Sequence, residues 1–530
     1  MAAIHIAALR AASNACQAPE VSFSDEQAVQ GLAIADELRA RFLPPDPATL
    51  AQAASLLMQL PAELLSDILS NLYARDLACL AGTCRSLSPP RAIGPVEMEL
   101  WRRAEARGLH ISSSLHEGAS SWLTYLLKAD ARDAQRRQAP LAVGAQAFHS
   151  IFVDREGRLL TCGGGIGLGH AADPAADPAV RRQIGPPTPV PSMLDRRIVS
   201  VVTSNTHCYA LSTEGQVYSW GEGSHGALGH GDEGSRGVPS RIESLSRIER
   251  IATGPWTWSH SAAVDEAGRL FTWGAVNCFS FLRYEFLGPY GLGYELDHTA
   301  RCQLTPKRVD ALAQERVVDV ALGCGFTLVV TSAGSVFSCG AGTNGILGHG
   351  LLDSEVLPRR IKALAQTGRR FVAVAAGDYH ALALTEGGEL YGWGYAHANG
   401  HGREERTPSL VAALTGQRVK LVDAQGTVAC AVMEEGELFT RGDSGHDYNV
   451  GHEDDARPAT PKRVNGLRGV KVAAVAIGRA HMLAADVDGV VWGCGLRTVL
   501  VLGASGPLAD YSVRKPTPIP TLRVRILNSP

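Results

Sequence analysis

Gly215-Gln-Val-Tyr-Ser-Trp220-Gly221, Gly268-Arg-Leu-Phe-Thr-Trp273-Gly274 and Gly388-Glu-Leu-Tyr-Gly-Trp393-Gly394 share one template: a glycine, a short alternating run, and a closing Trp-Gly. Looser copies run from Gly157 to Gly163, Gly334 to Gly340, Gly436 to Gly442 and Gly489 to Gly495. The closing glycines at 163, 221, 274, 340, 394, 442 and 495 are spaced 48 to 66 residues apart. Self-similarity at that spacing marks an architecture in which each repeat is one small supersecondary unit.

Other residues keep the same phase. Eight positions before each opening glycine stands His149, His207, His260, Phe326, His380, Val428 or His481. Downstream come Leu168-Gly169-His170, Leu228-Gly229-His230, Leu347-Gly348-His349 and Val450-Gly451-His452. A proline with an apolar residue three positions later follows: Pro239 and Ile242, Pro306 and Val309, Pro358 and Ile361, Pro408 and Val411, Pro461 and Val464. Period-two runs such as Val217-Tyr-Ser-Trp220 are what half-buried strands need. One small sheet cannot cover both of its faces, whereas seven packed around an axis can, and closure limits exposed edges. The expected fold is mainly β: a seven-bladed β-propeller over 141–526. A leftover strand, Pro518–Ile526, is expected to close the ring by pairing with the first blade. Segment 141–526 resembles the regulator of chromosome condensation repeat family, and the resemblance implies the same seven-bladed propeller.

Residues 1–140 have a different character, rich in alanine and leucine and poor in glycine. Within Leu60-Pro-Ala-Glu-Leu64-Leu-Ser-Asp-Ile68-Leu-Ser-Asn-Leu72, Pro61 suits a first helical turn and Glu63 its positive end. Leu64, Leu65, Ile68, Leu69 and Leu72 then share one face. Asp76 is placed to cap a second helix carrying Leu77, Leu80 and Cys84. About 45 residues cannot bury so many leucines alone, which suits a docking surface for another protein's helices. The pattern Leu-Pro-x-Glu-Leu-Leu-x-x-Ile-Leu, then Asp-Leu-x-x-Leu, then Thr83-Cys84-Arg85-x-Leu87, resembles an F-box. That resemblance implies docking onto the Skp adaptor, and through it cullin, with Leu60, Pro61, Leu64, Leu65, Ile68, Leu69, Leu72, Leu77 and Leu80 at the adaptor. The same domain order occurs in the fungal SCF-associated factors, which this chain resembles. The expected organisation is a helical or partly disordered segment over 1–56, an all-α F-box over 57–105, a helical linker over 106–140, and the propeller over 141–526.

The 530 residues carry a net charge of −3, with 50 basic residues offset by 53 acidic ones. That balance argues against a general polyanion binder, so no nucleic-acid partner is expected. No apolar run reaches the ~20 residues of a membrane-spanning helix, and no membrane partner is expected. The first 18 residues lack the basic and apolar regions of a secretory signal. Eleven cysteines, none in a CxxC pair, read as reduced, buried thiols. Cytoplasm or nucleus is the expected location.

Catalytic machinery is not legible. The five repeat histidines lie on a ring and do not converge, and Phe326 and Val428 fill the same slot. A metal site needs ligands converging on one ion, so the histidines read as structural and no metal or cofactor is expected. Gly221-Glu-Gly223-Ser-His-Gly226 and Gly340-Ala-Gly342-Thr-Asn-Gly345 fit GxGxxG. Neither opens a helix after a strand, so they read as turn glycines. No catalytic residue is expected.

The longest repeat contains an insertion, Ala275–Arg301, rich in rings: Phe279, Phe281, Tyr284, Phe286, Tyr290 and Tyr294. Aromatics on a loop of a rigid scaffold are natural anchors, and the first five are the candidate substrate contacts. A second insertion, Gly164–Thr188, is rich in Ala, Pro and Asp. The expected function is a non-catalytic, substrate-recognition subunit of a Skp–cullin–F-box ubiquitin ligase, the propeller holding an unknown substrate protein. The alternative is a guanine-nucleotide exchange factor or scaffold acting on a Ran-like small GTPase. A light sensor is a third reading, since the repeats resemble those of the plant ultraviolet-B photoreceptor. That family repeats Gly-Trp-Arg-His-Thr, which has no copy here.

Overall fold

The computed structural model describes residues 143–526 except 147–148, 171–182, 257–259, 276, 281–284, 290–291, 294–301, 397–398, 443–450, 453–457, 459, 480, 497–511 and 525. The chain divides into two units, Met1–Ala134 and Gln135–Pro530, and all described residues lie in the second.

Each repeat folds into one four-stranded antiparallel sheet, its strands taken in chain order. The alternating runs of the template become the third strand of every blade, and the strand before it begins at the repeat histidine or its substitute. The innermost strands are Val143–Ala145, Ile198–Thr203, Ile248–Thr253, Val317–Leu322, Phe371–Ala376, Val419–Gln425 and Val472–Ile477. Each touches the next around the ring, and the last touches the first, so the seven sheets close a propeller.

The Trp-Gly closure has a steric cause. His207 pairs with Gly221, Phe326 with Gly340, and Val428 with Gly442, each across the second and third strands. A Cβ on Gly221 would sit 2.3 Å from the Thr206 carbonyl oxygen, with φ at 108°. No L side chain fits so close an approach, and the positive φ excludes one independently.

The residue three after the outer-strand proline fixes the exit from each blade. Ile242, Ile361, Val411 and Val464 donate backbone N–H groups to the third strand, to Val217, Val336, Leu390 and Leu438, at 2.8–2.9 Å. All four side chains are buried. A short helical turn then leads into the next blade, such as Ala412–Leu414 or Asn465–Leu467.

Closure differs from the sequence expectation. Ser512–Arg523 is the outer strand of blade 7, paired to Val490–Leu496. Its link to blade 1 is one isolated bridge, Val524 to Asp154. Blade 1 already owns four strands, Gln183–Pro189 being its outermost, so no edge remains to be completed. Residues 183–188 therefore belong to the sheet, and the insertion in that repeat is shorter than expected. Blades 7 and 1 seal by apolar packing of Leu483, Ala485, Ile519 and Leu522 against Ile151 and Val153.

Replacing Gly221 with alanine is expected to destabilise the protein by more than about 2 kcal/mol. A denaturant titration checks this; an unchanged midpoint would refute the steric account.

Candidate functional site

Each blade joins its first and second strands, and its third and fourth, at one end of the antiparallel sheet. The second-to-third turns and the links between blades lie at the other end. The two faces of the ring therefore differ systematically. All the long connections, 165–182, 276–301, 443–461 and 497–511, leave the first face. The opposite face has tight turns and exposed ion pairs: Arg247–Glu266, Arg369–Glu389 and Arg418–Glu434 at 2.8–3.3 Å. Such pairs contribute ~0–1 kcal/mol each and mark a solvated surface. The face with long connections is the candidate recognition face.

The insertion of blade 3 builds a hairpin on that face, Asn277–Ser280 against Glu285–Pro289, with Phe279 opposite Phe286. Phe281, Tyr284, Tyr290 and Tyr294 lie outside the described residues, as do all nine adaptor-contact candidates from Leu60 to Leu80.

The repeat histidines are buried between blades. Nε2 of His149 lies 2.6 Å from Thr203 Oγ1, His207 3.1 Å from Thr253 Oγ1, and His260 2.6 Å from Thr327 Oγ1. His481 closes the ring at 2.6 Å from Ser150 Oγ. Burial pushes these imidazoles down, His149 and His260 to about 4, His207 and His481 to about 3. His380 is likewise pushed down to about 3, by burial and then by Arg441. The Leu-Gly-His histidines act within a blade instead. His230 and His349 reach Ser219 and Ser338 of the third strand at 3.0 and 3.1 Å.

The closing tryptophans tie each blade to the one before. Indole N–H groups of Trp220, Trp273 and Trp393 donate to the carbonyls of Gly167, Ala227 and Ile346 at 2.7–3.0 Å. In blade 6 the same register holds Arg441, opposite Ala429. Its guanidinium donates to the Ala396 carbonyl and, at 3.1 Å, to Asn399 Oδ1 of blade 5. Arg441 thus does the work of the indole, at the cost of a buried cation whose pKa burial lowers to about 10.

The channel encloses a cavity of about 150 Å3 lined by the innermost strands. Arg250 pairs with Asp319 at 3.4 Å, and Asp319 accepts the Val374 N–H at 3.0 Å. Asp423 accepts from Ile477 and Ala424 at 2.8 and 2.9 Å, yet burial pushes it up to about 7. Both aspartates bridge neighbouring blades.

Among the described residues, the His149–Cys208 contact is not set up for nucleophilic chemistry. His149 Nε2 lies 3.1 Å from Cys208 Sγ, but burial pushes the thiol up to about 12 and the imidazole down. A reactive thiolate needs the opposite shifts. Among the described residues, no three His, Cys, Asp or Glu side chains are grouped to hold a metal ion. Cys324 is disulfide-bonded, so the reading of reduced thiols fails at that position.

The fold defines a class, the β-propellers built from sequence repeats. The repeat is that of the regulator of chromosome condensation, RCC1, whose family model matches residues 214–264, 333–384 and 435–485. A second model of the same repeat matches 198–227 and 371–403. The chain carries RCC1 repeats over these residues. It is 36% identical over 367 residues to the human E3 ubiquitin-protein ligase HERC2, covering 66% of this chain and 7% of HERC2. It is 33% identical to the ultraviolet-B receptor UVR8 of Arabidopsis thaliana, over 48% of this chain and 55% of UVR8. The chain thus matches less than two thirds of either relative's length. Yeast RCC1 (Prp20), solved with Kap60, superposes with a TM-score of 0.57 at 20% identity, covering 77% of this chain and 90% of that one.

Two tests follow from the buried polar ties. Arg441→Ala should lower stability by about 3 kcal/mol by leaving a void and unpaired acceptors, whereas Arg441→Trp should match or exceed the parent in thermal melts. The histidines bind protons in the unfolded chain below about pH 6.5 but resist them when folded. Their stabilisation is present above pH 6.5 and is lost as pH falls toward 4. Asp423 and Asp378, raised by burial to about 7 and about 6, work the other way as pH falls from 7 toward 4, but five histidines outweigh them. Urea midpoints should fall from pH 7 to pH 5, and His260→Phe, copying Phe326, should flatten that slope.

Proposed function

We propose that this chain is the substrate-recognition subunit of a Skp–cullin–F-box ubiquitin ligase. The single observation that carries the substrate-binding half is the asymmetry of the propeller, whose described strands send every long connection out from one face. Long loops on a rigid scaffold concentrate recognition, and the Phe279–Phe286 hairpin puts aromatic residues on that face. The docking half rests on the F-box-like pattern. Leu60, Pro61, Leu64, Leu65, Ile68 and Leu69 are assigned to the Skp adaptor, with Leu72, Leu77 and Leu80 completing the apolar surface. A receptor of this kind does no chemistry itself. HERC2, which shares the repeats, is named an E3 ubiquitin-protein ligase, and a propeller serving ubiquitin transfer agrees with the same reading. The exchange-factor alternative rests on the repeat alone.

The test is co-purification of the Skp adaptor with the full chain. The double substitution Leu64→Asp, Ile68→Asp should abolish adaptor recovery and leave the propeller's other partners bound. Undiminished adaptor recovery would sink the docking assignment. Accelerated nucleotide release from a Ran-like GTPase would favour the alternative.

A further inference from the structure

Each repeat histidine faces a row of three cross-strand neighbours on the next blade, one from each of that blade's first three strands. His207 faces Thr253, Ser261 and Trp273, and bonds the first. His260 faces Leu322, Thr327 and Cys339, and bonds the second. His149 and His481 find hydroxyls at the same two positions, Thr203 and Ser150. Against His380 the row reads Ala424, Ala429 and Arg441. Neither alanine can answer an imidazole. His380 is 2% exposed, and its Nε2 is buried with no hydrogen-bond partner. Arg441 is also 2% exposed; two of its nitrogens reach Asn399 and the Ala396 carbonyl, but its Nε is buried and unmet. The two side chains are close enough for the guanidinium to lower the imidazole pKa. Among the described residues no carboxylate pairs with Arg441, and burial acts on its charge unopposed.

Native proteins rarely leave buried polar atoms unmet, and a buried cation without a counter-charge is strongly disfavoured. The interface also has room. Thr253 and Ser261 fill the second interface with two hydroxyls and a methyl group that Ala424 and Ala429 lack. The channel cavity reaches the same spot, since Ala375, Ala376, Ala424 and Gln425 line it between blades 5 and 6. The Arg441 Nε–H can only donate, and a neutral imidazole can carry its proton on Nε2. Two donors beside a positive charge, in the space of a few missing atoms, suit a small anion. A water would meet both donors but leave the charge uncompensated. A phosphate or sulfate brings more acceptors than there are donors, and more bulk than the lost hydroxyls leave.

We propose that the interface of blades 5 and 6 is a halide site, in which chloride lies between the Nε–H of Arg441 and the Nε2–H of His380 and enters from the channel. The ion takes the place of the hydroxyl that answers the histidine elsewhere, and it supplies the charge that Arg441 lacks. Arginine can then stand in the tryptophan register because an anion stands with it. The same guanidinium holds Ala396 and Asn399, both on the third-to-fourth strand connection of blade 5. Halide binding therefore steadies that connection as well as the blade interface. The site is independent of the ligase assignment.

The test is urea unfolding of the full chain as sodium chloride replaces sodium gluconate at constant ionic strength, gluconate being too large to enter. The transition followed is the one that Gly221→Ala shifts. Chloride bound only by the folded ring should lower the unfolding equilibrium constant about tenfold for each tenfold rise in its concentration above the dissociation constant. Ala429→Thr, copying Thr327, returns a hydroxyl to His380 and fills the space. Arg441→Trp removes the charge and restores the repeat's own residue. Both variants should lose the chloride dependence, whereas a general salt effect would survive in them. Crystals grown with bromide should show anomalous bromine density between His380 and Arg441. No chloride dependence in the parent, equal dependence in the parent and both variants, or density there without an anomalous signal, as a water gives, overturns the proposal.

Discussion

A sheet of four short strands has two apolar faces and only sheets like itself to cover them. That constraint governs the whole ring. Blade interfaces carry the core, as where Leu328, Val330 and Ile346 of blade 4 meet Ala381, Ala383 and Trp393 of blade 5. Apolar packing drives association but is indifferent to small slips. The buried polar ties are not. A histidine Nε2 reaches a hydroxyl of the next blade, and an indole N–H reaches a carbonyl of the preceding one. Each contributes about 1 kcal/mol net when made, and leaving its partner unmet costs about 1–3 kcal/mol. They select the register that the core alone would leave loose.

Seen this way, the departures from the repeat are instructive. Arg441 stands in the tryptophan register and still finds oxygens in the neighbouring blade. Phe326 stands in the histidine register and fills the space with its ring, being fully buried. Register tolerates a change of chemistry so long as the interface remains filled and its acceptors met. The long third-to-fourth strand connections leave one face of the ring, whereas the other face carries tight turns and solvated ion pairs.

Much of this was legible from residue order. The Gly-Trp-Gly template located every third strand, and the preceding histidine located every second strand. Both signals are local: a positive-φ glycine under a close backbone, and a side chain held at one register position. The ring closure was misread because Pro518-Ile519 looks like an orphan repeat fragment. Pairing partners are set by which edge is vacant, and residues 183–189 had already taken that of blade 1. Arg441 was invisible as a tie, since an arginine after a threonine carries no pattern without the neighbouring loop in view. The hairpin strands were concealed within an aromatic run read only as an insertion.

The residue order by itself determined the number of blades, the strand template, the glycine turns and the candidate docking leucines. These depend on spacing and side-chain type within some ten residues. Only the tertiary structure decided which blade answers which polar group and which face the long connections leave. Ser150 and His481 lie 331 residues apart in the chain, and their contact is a property of a closed ring, which no local pattern encodes.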